Sequence, residues 1–216
     1  FPATHPAIFP VRSRAGPPTI PNPPVSETSP SSPGSLTFVT HEFLPAHGGA
    51  GTVVEQLARA MVRAGVSTRV LAPGNEPAGA PSGIPVTRMG HRGRQGWPSR
   101  LALIRFLKGL EPDPDDRWIL ADPGVVRAAL YFETFGLRPP RPPVVILHGS
   151  EIHLFTKFPH RRRLFRRLLE SAAAVHVLSR ANENLLGERL PGHRANVIRA
   201  PGAPLSHPET PSARER

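Results

Sequence analysis

Residues 36–72 run strand, glycine-rich turn, helix and strand with almost no linker between them, and that order leaves few folds open. Residues 36–40 (LTFVT) are too short and too rich in β-branched and aromatic side chains for a helix, and they end where polar and glycine residues begin. They predict a buried strand. After the turn at 41–51 (HEFLPAHGGAG), Val53, Val54, Leu57, Ala58 and Met61 recur at helical spacing, with Glu55, Arg59 and Arg63 on other faces and Gly65 as a stop. Residues 66–72 (VSTRVLA) predict a second strand. Pieces joined this tightly form a right-handed βαβ crossover, the unit of doubly wound sheets.

Gly48, Gly49 and Gly51 fall at the start of that helix. Unpaired backbone N–H groups and the helix dipole favour an anion there, and side chains would block a phosphate. Two roles are open: an anion cradle, or a turn that only lets the chain bend. The spacing is not GxGxxG and no GK[ST] follows, which disfavours dinucleotide and P-loop sites.

The alternation continues. Residues 73–85 are a glycine- and proline-rich connection, 84–89 predict a short edge strand, and 91–96 (HRGRQG) a basic solvated loop. Ser99 is expected to cap a helix over 100–109 with Leu101, Ile104, Leu107 and Leu110 as its apolar stripe. A strand is expected at 117–121, then Asp122 and Pro123 open a helix reaching about Phe135 and stopping at Gly136. After a proline-rich turn at 139–143, the run 144–147 (VVIL) reads as a strand covered on both faces, ending in His148, Gly149, Ser150, Glu151, Ile152 and His153. The Gly48 loop and this strand end are placed to face one crevice, because open α/β sheets bind ligands at the carboxyl ends of their strands. Leu164, Phe165, Leu168, Leu169 and Ala172 then share one face of a helix whose Arg162, Arg163, Arg166 and Arg167 lie mostly around the other. Such a helix either packs on the sheet with a solvated cationic face or attaches to anionic headgroups. A strand at 175–178, a helix capped by Ser179 and running to 190, and a strand at 196–199 complete the pattern, which predicts a mostly parallel sheet with helices on both faces.

Composition bounds the partners. Lys+Arg 27 against Asp+Glu 16 gives a formal charge of +11, which suits nucleic acid, anionic membrane or phosphorylated ligands. With 6% aromatic residues and no basic run interleaved with them, specific nucleic-acid binding is not expected. Zero cysteines exclude disulfides, thiolate catalysis and cysteine-ligated zinc. His41, His47, His148 and His153 offer no HExxH-type spacing, so no metal is expected. Residues 1–34 read as a disordered proline- and serine-rich leader without a signal-like apolar run, and 206–216 as a polar tail, leaving 35–205 as one domain. His148 alone, after a buried strand, reads as a structural residue or as a site residue.

In order and spacing, FVTHEFLPAHGGAGTVVEQLARAMVRAGVSTRVLAP, VVILHGSEI and AAAVHVLSRANENLL followed by NVIRAPGAP resemble the N-terminal domain of the family 4 glycosyltransferases, which have the two-domain GT-B fold. The resemblance spans residues 36–204 and implies a single Rossmann-like domain. It implies that Gly48, Gly49, Ala50 and Gly51 approach the donor diphosphate and the acceptor, that His148 stands at the catalytic position near the transferred sugar, and that Glu151 lies close to that cleft. At the interdomain hinge, where many members have Asn-Gly, this chain has Pro201-Gly202. The family's C-terminal domain holds most of the nucleotide-sugar site, including two glutamates eight positions apart, and no two glutamates here have that spacing. The resulting expectation is the acceptor-side half of a hexosyltransferase-like enzyme: nucleotide-sugar donor, glycan or lipid-linked acceptor, no further cofactor, and inactive until a C-terminal GT-B domain joins it in cis or in trans. A cytoplasmic location, peripheral at the membrane, goes with it. The alternative is a non-catalytic basic module that binds anionic membrane or phosphorylated glycolipid through Arg162, Arg163, Arg166 and Arg167.

Overall fold

The computed structural model describes residues 34–43, 48–74, 83–90, 96–111 and 113–200. The leader up to residue 33, His47, the 91–95 loop, Pro201-Gly202 and the polar tail lie outside the described residues. Within them the chain forms seven strands: β1 (Leu36–Val39), β2 (Thr68–Ala72), β3 (Val86–Arg88), β4 (Arg117–Leu120), β5 (Val144–Leu147), β6 (Ala174–Val177) and β7 (Val197–Arg199). Six α-helices join them: α1 (Gly49–Arg63), α2 (Trp97–Lys108), α3 (Pro123–Ala129), α4 (Ser150–Thr156), α5 (Pro159–Ser171) and α6 (Arg180–Arg189).

All seven strands form one parallel sheet in the order β3-β2-β1-β4-β5-β6-β7. The chain winds outward from β1 in one direction as far as β3, returns through α2 to the other side of β1, and winds outward again. Right-handed crossovers in opposite directions place helices on opposite faces, and the two cores follow that rule. Phe38, Val70, Ala72, Ile119 and Ile146 pack with Val54 and Ala58 of α1. The alternate strand positions Val39, Leu71, Leu120, Val145, Leu147 and Val175 pack with side chains of α2 to α6. The sheet is therefore covered by one helix on one face and five on the other, among the described residues. At the amino edge Asp116, 1% exposed, accepts hydrogen bonds from Thr37 (2.7 Å), Ser35 (3.1 Å) and Arg69 (3.0 Å), tying β1, β2 and β4 together.

Several local expectations are corrected. Helix α1 starts at Gly49, so Gly49, Ala50 and Gly51 form its first turn, with Gly48 as the N-cap. Helix α2 starts at Trp97 behind the N-cap Gly96; Ser99 is not the cap but lies within the first turn, where Pro98 fits because no intrahelical N–H partner is needed there. Helix α3 ends at Ala129, well short of Phe135: Tyr131 and Phe132 bond back to Ala128 and Ala129, three residues earlier, and a 3-10 turn at Glu133–Phe135 leads to Gly136. Residues 150–153, read from sequence only as the end of the fifth strand, belong to α4 (Ser150–Thr156), with Ile152 and Phe155 buried. The caps at Asp122 and Ser179 form as expected, the latter accepting from the N–H of Asn182. Gly65 ends α1 in the left-handed region at φ 77°, with the N–H of Val66 bonded to Met61 O in a Schellman-type stop.

Candidate functional site

At the carboxyl ends of the strands the winding reverses at β1, so the segments after β1 and β4 leave in opposite directions and open a crevice between them. Three stretches meet this edge: residues 40–43 with the start of α1, the β4 end at Ala121-Asp122, and the β5 end from His148 to Glu151.

The first turn of α1 supplies the N–H groups of Gly49, Ala50 and Gly51, none with an intrahelical acceptor, whereas Thr52 N–H already bonds to Gly48 O at 3.1 Å. No carboxylate lies in that turn and no side chain caps it. Gly48 and Gly49 are exposed and Gly51 is buried. A Cβ built on Gly49 meets nothing within 4 Å, so this glycine is not demanded by packing; a Cβ on Gly48 would come within 2.9 Å of Glu42 Oε2.

Behind the crevice sits a buried pair that the sequence reading did not assemble. The Asp122 carboxylate, 0% exposed, accepts from the N–H groups of Gly124 (2.7 Å) and Val125 (3.0 Å), so it caps α3. It also accepts a short hydrogen bond from the backbone N–H of His41, and the His41 ring Nδ1 stands 3.5 Å from Oδ1. Burial pushes this carboxyl upward, but the His41 ring and the backbone N–H groups of His41 and Val125 outweigh it and hold the group below its ordinary range. A Cβ on Gly124 would lie 2.8 Å from His41 Nδ1, so only glycine lets the imidazole rest on the first turn of α3. The signal was divided between a histidine after one strand and an Asp-Pro after another.

His148, half-buried, points its ring at the neighbouring strand end, with Nε2 2.9 Å from Ala121 O. A carbonyl only accepts, so Nε2 carries the proton and donates to it. Glu151 is 0% exposed, and its carboxylate is used by its own loop: Oε1 accepts from His148 N–H at 3.1 Å and Oε2 from Ser150 Oγ at 3.3 Å. The loop's turn rests on Gly149 at φ 115°, where a Cβ would also meet Asn182 Oδ1 of α6 at 2.7 Å. His148 and Glu151 therefore share one braced loop, while the α1 turn stands across the switch point.

Arg162, Arg163, Arg166 and Arg167 all lie on α5. Arg163 and Arg167 are exposed and Arg162 and Arg166 are half-buried; Arg166 donates to Pro191 O at 3.2 Å, and Arg167 stands 3.5 Å from Glu133. An apolar recess of about 320 Å³ lined by Leu130, Phe132, Leu137, Leu164 and Leu168 lies where β5 begins, at the opposite edge from the glycine turn. Among the described residues no group of three or more His, Asp or Glu side chains is placed to hold a metal ion, and no helix is long and apolar enough to cross a membrane.

A family described as a glycosyl transferase 4-like domain matches residues 48–202, from the N-cap of α1 to just beyond β7. No curated protein matches the chain.

Proposed function

The chain belongs to the glycosyl transferase 4-like family, and on that premise we propose that it is the acceptor-side half of a glycosyltransferase that uses a nucleotide-sugar donor. The observation that carries this reading is the first turn of α1: Gly48 and Gly49 are exposed at the switch-point crevice, the N–H groups of Gly49, Ala50 and Gly51 have no intrahelical acceptor, and a Cβ at Gly49 would meet nothing within 4 Å. A helix N-terminus offers roughly half an elementary charge. Negative charge building on a departing diphosphate needs more than that, and the family's second domain is the source of the cationic partners in this reading. Transfer accordingly requires that domain, in cis or in trans. His148, with Nε2 anchored to Ala121 O, is the group proposed to face the sugar; Glu151 positions the loop that carries it.

The test is sugar transfer by the chain joined to a nucleotide-sugar domain. Gly49→Trp should lower transfer by about a hundredfold, the scale expected when a reacting group is displaced by an ångström or so, while leaving the melting temperature unchanged. Transfer at the original rate in the folded variant would reduce the turn to a bend in the chain.

A second reading, contact with anionic headgroups, draws on the exposed Arg163 and Arg167 and on Phe158, 44% exposed at the start of α5. Co-sedimentation with anionic vesicles should weaken with salt and with Arg163→Gln plus Arg167→Gln; binding indifferent to both counts against it.

A further inference from the structure

At the amino edge of the sheet, where β5 begins, a change of helix geometry leaves a hole. Helix α3 ends at Ala129, Tyr131 and Phe132 bond back only three residues, and the chain turns through Glu133–Phe135. Gly136, at φ 67°, reverses it, and Leu137 N–H closes back on Phe132 O at 2.9 Å. The result is a recess of about 320 Å³ between this turn, the loop into β5 and the second half of α5. Its apolar lining is Ala129, Leu130, Phe132, Leu137, Leu164 and Leu168, the last two one helical turn apart on α5. Residues 139–143 (PPRPP) form the remaining wall. Four prolines there have φ fixed in advance. The loop is also pinned: Arg141 Nε donates to Pro114 O at 3.1 Å, its guanidinium pairs with Asp115, and Pro143 O accepts from Ala173 N–H at 2.8 Å. The recess is therefore built before anything enters it, which removes much of the ordering cost of binding.

The rim of this apolar space is cationic. Arg138, Arg141 and Arg167 stand on it, with Glu133 as the single carboxylate among the described lining residues. Arg141 is engaged by Asp115; Arg167 stands 3.5 Å from Glu133, but those side chains are 68% and 73% exposed, so water screens the pair. Arg138 is exposed and makes no hydrogen bond or ion pair among the described residues. A wholly apolar ligand would gain nothing from these guanidiniums, and a compact polar anion would gain nothing from the leucines. An apolar chain ending in a carboxylate uses both. The chain displaces water from the lining, and a planar guanidinium meets a carboxylate with two parallel N–H donors. Small-molecule pockets are mostly apolar with a few placed polar groups and span about 300–1,000 Å³. This one is at the small end, which suits a single chain.

We propose that this recess binds a free, single-chain amphipathic carboxylate, its chain among Leu130, Phe132, Leu164 and Leu168 and its carboxylate at Arg138. The site lies at the opposite edge of the sheet from the α1 turn and stands or falls independently of the sugar-transfer reading.

The probe is decanoate at submicellar concentration, with decanol as the uncharged chain of the same length. Trp118 is a built-in reporter: its ring meets that of Phe132 edge-on at 6.4 Å, and Trp97→Phe leaves it the chain's one tryptophan. Decanoate titrated into the full chain carrying Trp97→Phe, at constant ionic strength, should give a saturable change in emission, matched by calorimetry on the wild type. Decanol should bind at least about fivefold more weakly. Arg138→Gln should weaken decanoate by about fivefold and leave decanol unchanged, removing the preference between them. Ser171→Trp, which sets a large ring at an exposed rim position, should block both. No binding of decanoate, decanol binding as tightly, a preference that survives Arg138→Gln, or binding that a folded Ser171→Trp leaves intact overturns the proposal. So does a dimer in sedimentation velocity that Ser171→Trp dissolves, because a second copy would then be the occupant. Circular dichroism melting accompanies each variant, and Arg138→Gln, at an exposed side chain, decides the matter should Ser171→Trp fail to fold.

Discussion

Asp122 is bound on two sides: it caps the helix that follows it and takes the N–H of His41, just past the first strand and 81 positions earlier. Its carboxyl is held below its ordinary value of 3.8, so the folded state favours the ionised form more than the unfolded chain does. The stabilisation is complete above the unfolded value and disappears as pH falls through the lower, folded one. Acid unfolding below about pH 4 should therefore be shallower in Asp122→Asn than in the wild type, when denaturant midpoints are compared across pH. Asp122→Ala, which strands several buried N–H groups, should cost about 2–4 kcal/mol at neutral pH. Gly149 is a second decisive position. Alanine there faces both a left-handed φ of 115° and Asn182 Oδ1, so Gly149→Ala should destabilise by about 1–3 kcal/mol. Asn182→Ala should recover only part of that loss, because it removes the clash and not the dihedral strain. The cap at Asp122 was legible from Asp-Pro after an apolar run; its bond to His41 was not, since nothing in either segment names the other.

Strands and long amphipathic helices were legible as elements because their periods repeat: α1 shows its buried stripe and its glycine stop in sequence. Short elements were not. Helix α4 has seven residues, too few for a periodic pattern, and its start depends on a glycine conformation. What holds it is tertiary: Phe155 meets Phe165 of α5 edge-on, with ring centres 5.3 Å apart, and both are almost fully buried. Phe165→Ala should cost about 3–5 kcal/mol in chemical denaturation, and should loosen the His148–Glu151 loop more than the α1 turn. Backbone amide exchange that rises equally at both places would remove the special link between α4 and α5. The overlong α3 has the reverse cause. Apolar spacing continues past Ala129, and only the switch to three-residue hydrogen bonds marks where the helix stops.

At the scale of the whole molecule, alternation of strand and helix announced a parallel sheet, but strand order was beyond it: no residue of β4 shows that it belongs beside β1. The order has a measurable signature. β1, β4 and β5 are central and covered on both sides, whereas β3 and β7 are three-residue edges with half-buried or exposed side chains. Hydrogen exchange should be slowest in β1, β4 and β5 and fastest in β3 and β7; uniform protection would contradict a cooperative centre with fraying margins. The central pairing also sets a timetable. Leu36 of β1 is in register with Thr68 on one side and Arg117 on the other. During synthesis the first strand finds β2 early, but its other hydrogen-bonding edge stays open until β4 has been made. For that interval the growing chain presents a bare, apolar strand edge, the kind that invites pairing with another molecule. The sheet's middle, its best-protected part once folded, is thus the part that holders of nascent chains must shield longest.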